Sequence, residues 1–522
     1  MTAILTPIER DSVLHQMQQA NQLVEPLDVH NRALLANVHP PEWVNPRPKD
    51  RYHLVVIGSG TGGLVTAAIA AGLGARVALI ERHLMGGDCL NVGCVPSKGV
   101  IRAARAWHAA RRAQADFGGP AVTGPGDFAA AMERMRRIRA HISAVDGAPR
   151  YSSLGIDVFI GQGTFTGPDR VAVGDATLRF RRAVIAAGAR AASIPVPGLT
   201  DVGFRTNENI FWLTELPRRL VVIGAGPIGC EMAQAFARLG SQVTLIDRGA
   251  HILPREDTDA ARIVERQMGK DGVTFAFEAS PVRAERDGTA KAVIYAKDGT
   301  EHRVVADEIL VAAGRAPNVE GLGLEAAGVA YERKGVTVDE RLRTSNPRVY
   351  AVGDVASKYQ FTHAADFQAR MVVQNALFFG RGRASSLLIP WATYTSPEVA
   401  HVGLYARDAE AKGIALDTID LPLHENDRSL LEGDDEGFVR VHLEKGTDKI
   451  LGATIVAEHA GDMISEFTVA MVNRLGLAKI GAAIHPYPTQ ADAIRRTADL
   501  WRRTKLTPTV KKLFRRYFAL LG

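Results

Sequence analysis

The stretch Tyr52-His-Leu-Val-Val-Ile57-Gly58-Ser-Gly60-Thr-Gly-Gly63 decides the fold. An apolar strand run ends in Gly-x-Gly-x-x-Gly, and the helical LVTAAIAAGLG follows. Arg76-Val-Ala-Leu-Ile then makes a second strand that ends in Glu81. The same unit returns 166 residues later. Arg219-Leu-Val-Val-Ile leads into Gly224-Ala-Gly226-Pro-Ile-Gly229, the helical CEMAQAFARLG, the strand QVTLI and Asp247. In both copies the acid stands 23 positions after the first glycine. One such glycine pattern is weak, because any Gly-rich turn can supply it. Two, each with a strand before, a helix after and an acid closing the next strand, are strong. The first glycine makes the tight turn, the second admits a pyrophosphate, and the third lets helix and strand pack closely. Unpaired N–H groups at the helix N-terminus face the phosphates, and the acid accepts from a ribose. Two units predict an α/β chain with two Rossmann-like dinucleotide-binding domains. The simplest pair of occupants is a flavin and a nicotinamide.

The rest of the composition agrees. At 522 residues the chain has room for roughly three domains of about 150 residues. A hydrophobic share of 46% with 23% charge excludes a disordered chain. Three Cys cannot build a secreted disulfide framework and fit a reducing compartment, so the expectation is cytoplasmic. The opening MTAILTPIERDSVLHQM has no apolar signal core. The uncharged run from Gly58 to Ala75 carries six Gly and reads as a turn plus a buried helix, not a membrane span. The net charge of +6 is local: nine basic residues and one acidic residue lie between Arg495 and Arg516. No nucleic-acid partner is expected.

Before the first unit, Ile8 to Asn21 is predicted as a short helix, and HPPEWVNPRPKD as a Pro-rich linker closed to helix and strand. After it comes Gly86-Gly-Asp-Cys89-Leu-Asn-Val-Gly-Cys94-Val-Pro-Ser-Lys98, then the helical IRAARAWHAARR. Two cysteines this close suit half a zinc site, but the third, Cys230, sits inside the second nucleotide helix. Only His83 and Asp88 stand nearby to complete four ligands, so no metal site is expected. The other reading is a redox pair at a helix entry, where the dipole and Lys98 favour thiolate at Cys94. Cys230 reads as an inert packing residue.

With these residues in view, the sequence resembles the pyridine nucleotide–disulfide oxidoreductases, the family of dihydrolipoyl dehydrogenase, glutathione reductase and mercuric reductase. GGDCLNVGCVPSK is similar to the family's redox-active disulfide motif. The resemblance runs on through AVIAAGARAASIPVPG, ILVAAGRAPN, VYAVGDVA and PWATYTSPEVAHVG, the last similar to the start of the family's dimerisation domain. It implies an α+β C-terminal dimerisation domain and a homodimer whose subunits share an active site. It also implies bound FAD, held by Gly58, Gly60, Gly63, Glu81, Lys98, Gly188, Gly353 and Asp354. The second nucleotide, NAD(P)H, falls to Gly224, Gly226, Gly229, Asp247, Arg248 and Gly314. Cys94 would face the flavin and Cys89 would meet the acceptor, with Lys98 and Glu231 as an ion pair beside the flavin. Hydride would pass from nicotinamide to FAD, and then an electron pair to a Cys89–Cys94 disulfide. The organisation implied is 1–50 arm and linker, 51–198 and 321–385 FAD-binding parts, 199–320 NAD(P)-binding domain, 386–499 dimerisation domain and 500–522 basic tail.

The departures narrow the activity. Disulfide-reducing members carry a catalytic His, supplied by the partner subunit, just before Pro-Thr, with a Glu five residues later. Here the segment is His485-Pro-Tyr487-Pro-Thr489-Gln-Ala-Asp492, so Tyr487 holds the His position and Asp492 the Glu position. A phenol with an ordinary pKa of about 10 is a poor base at neutral pH. His485 would replace it only if the loop rearranged; otherwise it packs or bonds the loop. Tyr at this position resembles mercuric reductase, yet no Cys follows Cys230 to deliver a metal. A mercuric-reductase-like enzyme with a small-molecule or metal-ion acceptor is therefore expected. Its rivals are a disulfide reductase using His485, a redox-sensing binding protein, and a membrane-associated quinone or electron-acceptor reductase. Asp247 favours NADH by repelling a 2′-phosphate, while Arg248 keeps NADPH open. In the tail, Val510, Leu513, Phe514, Tyr517, Phe518 and Leu521 recur at helical spacing opposite Lys511, Lys512, Arg515 and Arg516. Such a helix docks on protein or lies on a membrane surface.

Overall fold

The computed structural model describes residues 23–522, so the helix expected over Ile8 to Asn21 lies outside the described residues. The chain divides into two compact units. One takes in the described residues up to Arg112, Pro120–Arg248 and Thr274–Leu387; the other takes in Ala113–Gly119, Gly249–Val273 and Leu388–Gly522.

In the first unit, parallel strands run in the order Asp157–Ile160, Val77–Glu81, Tyr52–Ile57 and Ala176–Ile185. Val349–Ala351 joins the C-terminal half of the last strand in parallel, and Arg170–Val173 joins its other half antiparallel. Alternate residues feed two cores, as a period of two requires. Leu54, Val56, Val77, Leu79 and Val158 face one core; Tyr52, Val55, Ile57, Ala78 and Ile80 face the other. A sheet covered on both faces explains why these strands read as unbroken apolar runs. Helix Thr61–Gly72 connects the first two strands and packs on helix Thr362–Leu377.

The repeat is built the same way. Arg219–Ile223, helix Pro227–Leu239 and Gln242–Ile246 form the second strand–helix–strand turn, in a sheet completed by Val273–Ala276 and Glu308–Val311. An antiparallel meander of Ser280–Asp287, Ala290–Lys297 and Thr300–Ala306 follows.

Residues 1–50 read as an appended arm, but between Val24 and Val38 they contribute to the core. Val24, Leu34, Leu35 and Val38 are buried with Leu54, Leu84, Met85 and Leu90. Helix Val29–Val38, which carries Leu34, Leu35 and Val38, packs on helix Phe128–Asp146. The Pro-rich stretch after it is neither helix nor strand, as its prolines dictate.

The second unit carries a five-stranded antiparallel sheet in the order Trp391–Thr393, Glu398–Gly403, Ile450–Ala457, Phe438–Glu444, Leu416–Pro422. Helix Ala460–Val472 packs on its first half, and helix Asp492–Thr504 on its second. The latter buries Ala493, Ile494, Thr497 and Ala498, a single stripe at helical spacing. Beyond it, helix Pro508–Leu520 is capped by the Thr507 hydroxyl and buries no residue. Docking of this helix on its own domain is therefore not what the structure shows.

Candidate functional site

The two glycine motifs are nearly superimposable in what they forbid. A Cβ added at Gly58 would lie 2.4 Å from the Ala186 carbonyl oxygen, and one at Gly224 would lie 2.5 Å from that of Ala312. Both residues have φ values closed to most side chains, +97° and +112°. At Gly63 and Gly229 the clash would be with the first glycine's own carbonyl, at 1.8 and 1.9 Å. These four glycines are fixed by packing. The middle glycines differ: a Cβ on Gly60 would meet only Gly87 Cα at 3.7 Å, and one on Gly226 nothing within 4 Å. Both stay open to a ligand that needs bare backbone.

The acids also match. Glu81, 8% exposed, accepts from the Ser59 N–H and hydroxyl at 2.8 Å each and from the His83 N–H at 2.8 Å. Asp247 accepts from the Ala225 N–H at 2.7 Å. Each carboxylate is thus pinned at the mouth of its glycine turn. Arg248 is exposed beside Asp247.

Around the first motif lies a cavity of about 630 Å³, lined by Gly58, Gly60, Glu81, Cys89, Gly188 and Asp354 among others. Gly353 fixes the turn that presents Asp354, donating its N–H to Gln368 at 2.8 Å. Asp354 is pushed up in pKa by burial, with Arg315 pulling it back. Arg315, which the sequence reading missed, follows Gly314 and binds Asp88, Asp354 at 3.4 Å and the Ala189 carbonyl at 2.9 Å. Burial opposes its charge, but the two carboxylates outweigh that and hold it protonated. Its partners lie far off in the sequence, so no local pattern marks it.

The cysteines stand at the junction of two helices. Cys89 lies in helix Gly87–Asn91, and Cys94 is the first residue of helix Cys94–Phe117. The Cys89 thiol hydrogen-bonds Cys94, and this chiefly pulls the Cys94 pKa down to about 6. Burial opposes the shift; the Thr362 hydroxyl at 3.4 Å and the Lys98 charge assist it, and Glu231 works against it. The same bond, with burial, pushes Cys89 up. One thiol is poised as thiolate and its neighbour as proton donor. Lys98 Nζ lies 2.7 Å from Glu231 Oε2, the pairing that the family resemblance implies. Cys230 is buried and donates to the Ala225 carbonyl at 3.3 Å, which suits packing.

In the second unit, a cavity of about 700 Å³ gathers Asp427, Ile484, His485, Tyr487, Asp492 and Arg496. Tyr487, 73% exposed, donates its hydroxyl to Asp427 at 2.7 Å, and that bond raises its pKa. His485 is bonded at both ring nitrogens. Its Nε2 pairs with Glu466 at 2.9 Å, its Nδ1 lies 3.1 Å from the Ala483 carbonyl, and its side chain is 9% exposed. Asp492 binds Arg495 at 2.8 Å rather than Tyr487. Asp427 and Glu466, both absent from the sequence reading, are the carboxylates that this loop uses.

Comparison with known proteins agrees with this geometry. Residues 52–369 match the family model described as pyridine nucleotide-disulphide oxidoreductase, and residues 389–498 match its dimerisation domain. The mercuric reductase of Streptomyces lividans is 35% identical over 456 residues, covering 86% of this chain and 96% of that protein. The dihydrolipoyl dehydrogenase of Bacillus subtilis is 31% identical over 463 residues, covering 86% and 97%. Among solved structures, the HOCl-induced flavoprotein disulfide reductase RclA from Escherichia coli aligns with TM-score 0.77 at 27% identity, covering 86% of this chain and 100% of that one. The dimerisation domain supports a homodimer, and the family's members use FAD and NAD(P)H. The glycine cradle, the pinned Glu81 and the half-buried Asp354 fit a flavin dinucleotide. This chain belongs to the pyridine nucleotide–disulphide oxidoreductase family.

Proposed function

We propose that the protein is a mercuric-reductase-like flavoenzyme that delivers electrons through Cys89 and Cys94 to a soft metal ion or another non-disulfide acceptor. FAD, when bound, takes two electrons from NAD(P)H and passes them on as a pair. Gly58, Gly60, Gly63 and Glu81 would hold its adenosine diphosphate part, Asp354 its ribityl chain, and Lys98 with Glu231 its reactive edge. Cys94, already thiolate near neutral pH, would face the flavin, and Cys89 would meet the acceptor. With Hg(II) the balance closes without a shuttled proton: NAD(P)H and Hg(II) give NAD(P)⁺, Hg(0) and one H⁺.

The observation that carries this reading is Tyr487. Thiol–disulfide exchange needs a base that moves a proton to and from the leaving thiol. The partner subunit's Tyr487, as the group offered to the acceptor, is a phenol whose pKa Asp427 raises further. It can donate a hydrogen bond but does not act as a base. The likeness to dihydrolipoyl dehydrogenases favours a disulfide reductase as second reading, and the engagement of both His485 ring nitrogens, by Glu466 and the Ala483 carbonyl, argues against it. Of the two nucleotides, NADH suits Asp247 better. NADH oxidation measured with Hg(II), Cu(II), lipoamide, glutathione disulfide, quinones and oxygen tests the proposal; rapid turnover with disulfides alone would reject it.

We further propose that the protein is cytoplasmic and rests on the membrane face through its tail. Leu513, Phe514, Tyr517 and Phe518 are exposed on one side of helix Pro508–Leu520, and the four cations occupy the other. That pattern suits anionic lipid. No helix among the described residues is long and apolar enough to cross a membrane. Co-sedimentation with phosphatidylglycerol vesicles, lost when residues 507–522 are deleted, is the expected outcome.

A further inference from the structure

Residues before Tyr52 fall outside the matched family model, yet they build part of the cofactor cavity. Leu23 and Val24 line it together with Glu81, His83, Leu84 and Asn91. From there the chain is tied down at every step. Asp28 caps helix Val29–Val38 by accepting the Asn31 N–H at 2.8 Å, and its other oxygen holds Arg136 at 2.6 Å. Asn37 donates to Ser143 at 2.9 Å. The Val38 carbonyl accepts the Met85 N–H at 3.1 Å, and the His39 ring bonds the His83 carbonyl. Trp43 then donates to the Val158 carbonyl at 3.1 Å, and Asn45 bonds Ile160 in both directions, at 2.8 and 2.9 Å.

One side chain joins this segment to the redox loop. Arg139, 1% exposed, also lines the cavity. Its Nη1 donates to the Asn91 carbonyl and its Nη2 to Asn31 Oδ1, each at 2.7 Å. Asn91 ends the helix that contains Cys89. A guanidinium so deeply buried is costly to hold, and with its Nε unpartnered the two bonds to Asn31 and Asn91 are what offset that cost.

We propose that residues 23–45 are a strap belonging to the FAD site. Leu23 and Val24 supply part of the cavity's apolar wall, the helix and the Arg139 joint hold that wall in place, and Trp43 and Asn45 anchor its far end on the sheet. The strap governs how fast the flavin leaves. The proposal rests on this cavity being the FAD site, which flavin bound to the purified wild type establishes separately.

The test is the rate of FAD release from full-length holoprotein, read as the rise of free-flavin fluorescence after dilution. Two double variants divide the strap's roles: Leu23→Ala with Val24→Ala removes wall, and Trp43→Ala with Asn45→Ala cuts the anchor without touching the cavity. Both should release FAD on the order of ten-fold faster, since such changes act mainly on dissociation. Binding of NADH to the second nucleotide unit should stay unchanged, which separates a local effect from misfolding. Unchanged release in both variants, with faster proteolysis between residues 39 and 50 showing that the anchor variant's strap is loose, would overturn the proposal. Equal loss of flavin and NADH binding would overturn it too, by showing a segment needed only for folding.

Discussion

Tyr487 and Asp427 share a 2.7 Å hydrogen bond in which the phenol is the donor. A general base at this position would have to accept a proton, and the bond opposes that twice. It occupies the hydroxyl proton, and the carboxylate disfavours a phenolate. Residue 487 is thus committed to donating.

Tyr487→His should therefore raise disulfide reduction. General acid–base help is worth about 10²–10⁴-fold when well placed, but here the gain should fall toward the low end. Asp492, the residue expected to orient the imidazole, is held by Arg495. Adding Asp492→Glu extends the carboxyl by one methylene and should improve on the single change. The measurement is kcat/KM for lipoamide and glutathione disulfide in the three proteins.

The Cys94 thiolate gives a pH test with signed outcomes. Its pKa is depressed to about 6, so the thiolate should persist through neutral pH and be lost only as pH falls through about 6. An unperturbed thiol would already be protonated below about 8.5. The readout is long-wavelength charge-transfer absorbance in the two-electron-reduced holoenzyme. Cys94→Ser should abolish it. Cys89→Ala removes the largest cause of the shift and should move the midpoint up. Lys98→Met should also move it up, whereas Glu231→Gln should move it down, because these two charges act on Cys94 with opposite sign.

Asp247→Ala should raise kcat/KM for NADPH relative to NADH by about ten-fold, one lost charge repulsion being worth on the order of 1–2 kcal/mol. The same change removes the acceptor of the Ala225 N–H, so NADH use itself should weaken. If instead Arg248→Ala abolishes NADPH use and Asp247→Ala shifts nothing, the arginine governs the choice.

Much of this was legible in the sequence because the information is local. Each glycine motif sits within one strand–turn–helix, where the same few backbone contacts recur. Lys98 and Glu231 are 133 positions apart, and only the family resemblance brought them together. Arg315 could not be found, since its carboxylates, Asp88 and Asp354, lie on two short helical turns far from it in sequence. Nor could Asp427, 60 positions before Tyr487, because nothing near it in sequence marks it as that residue's acceptor. The strap was hidden for another reason. The Pro-rich stretch reads as a boundary, while the apolar residues before it are few and pack against a helix about a hundred residues later.

The proposed function turns on Tyr487 standing where disulfide reduction needs a base. The most direct measurement is kcat/KM at pH 7 for lipoamide against Hg(II), in the wild type and in His485→Ala. We expect lipoamide to fall at least about a hundred-fold below Hg(II), as loss of acid–base help implies, with His485→Ala leaving both values nearly unchanged. Lipoamide turnover equal to or above that of Hg(II), removed by His485→Ala, would contradict the proposed function and make His485 the base of a disulfide reductase.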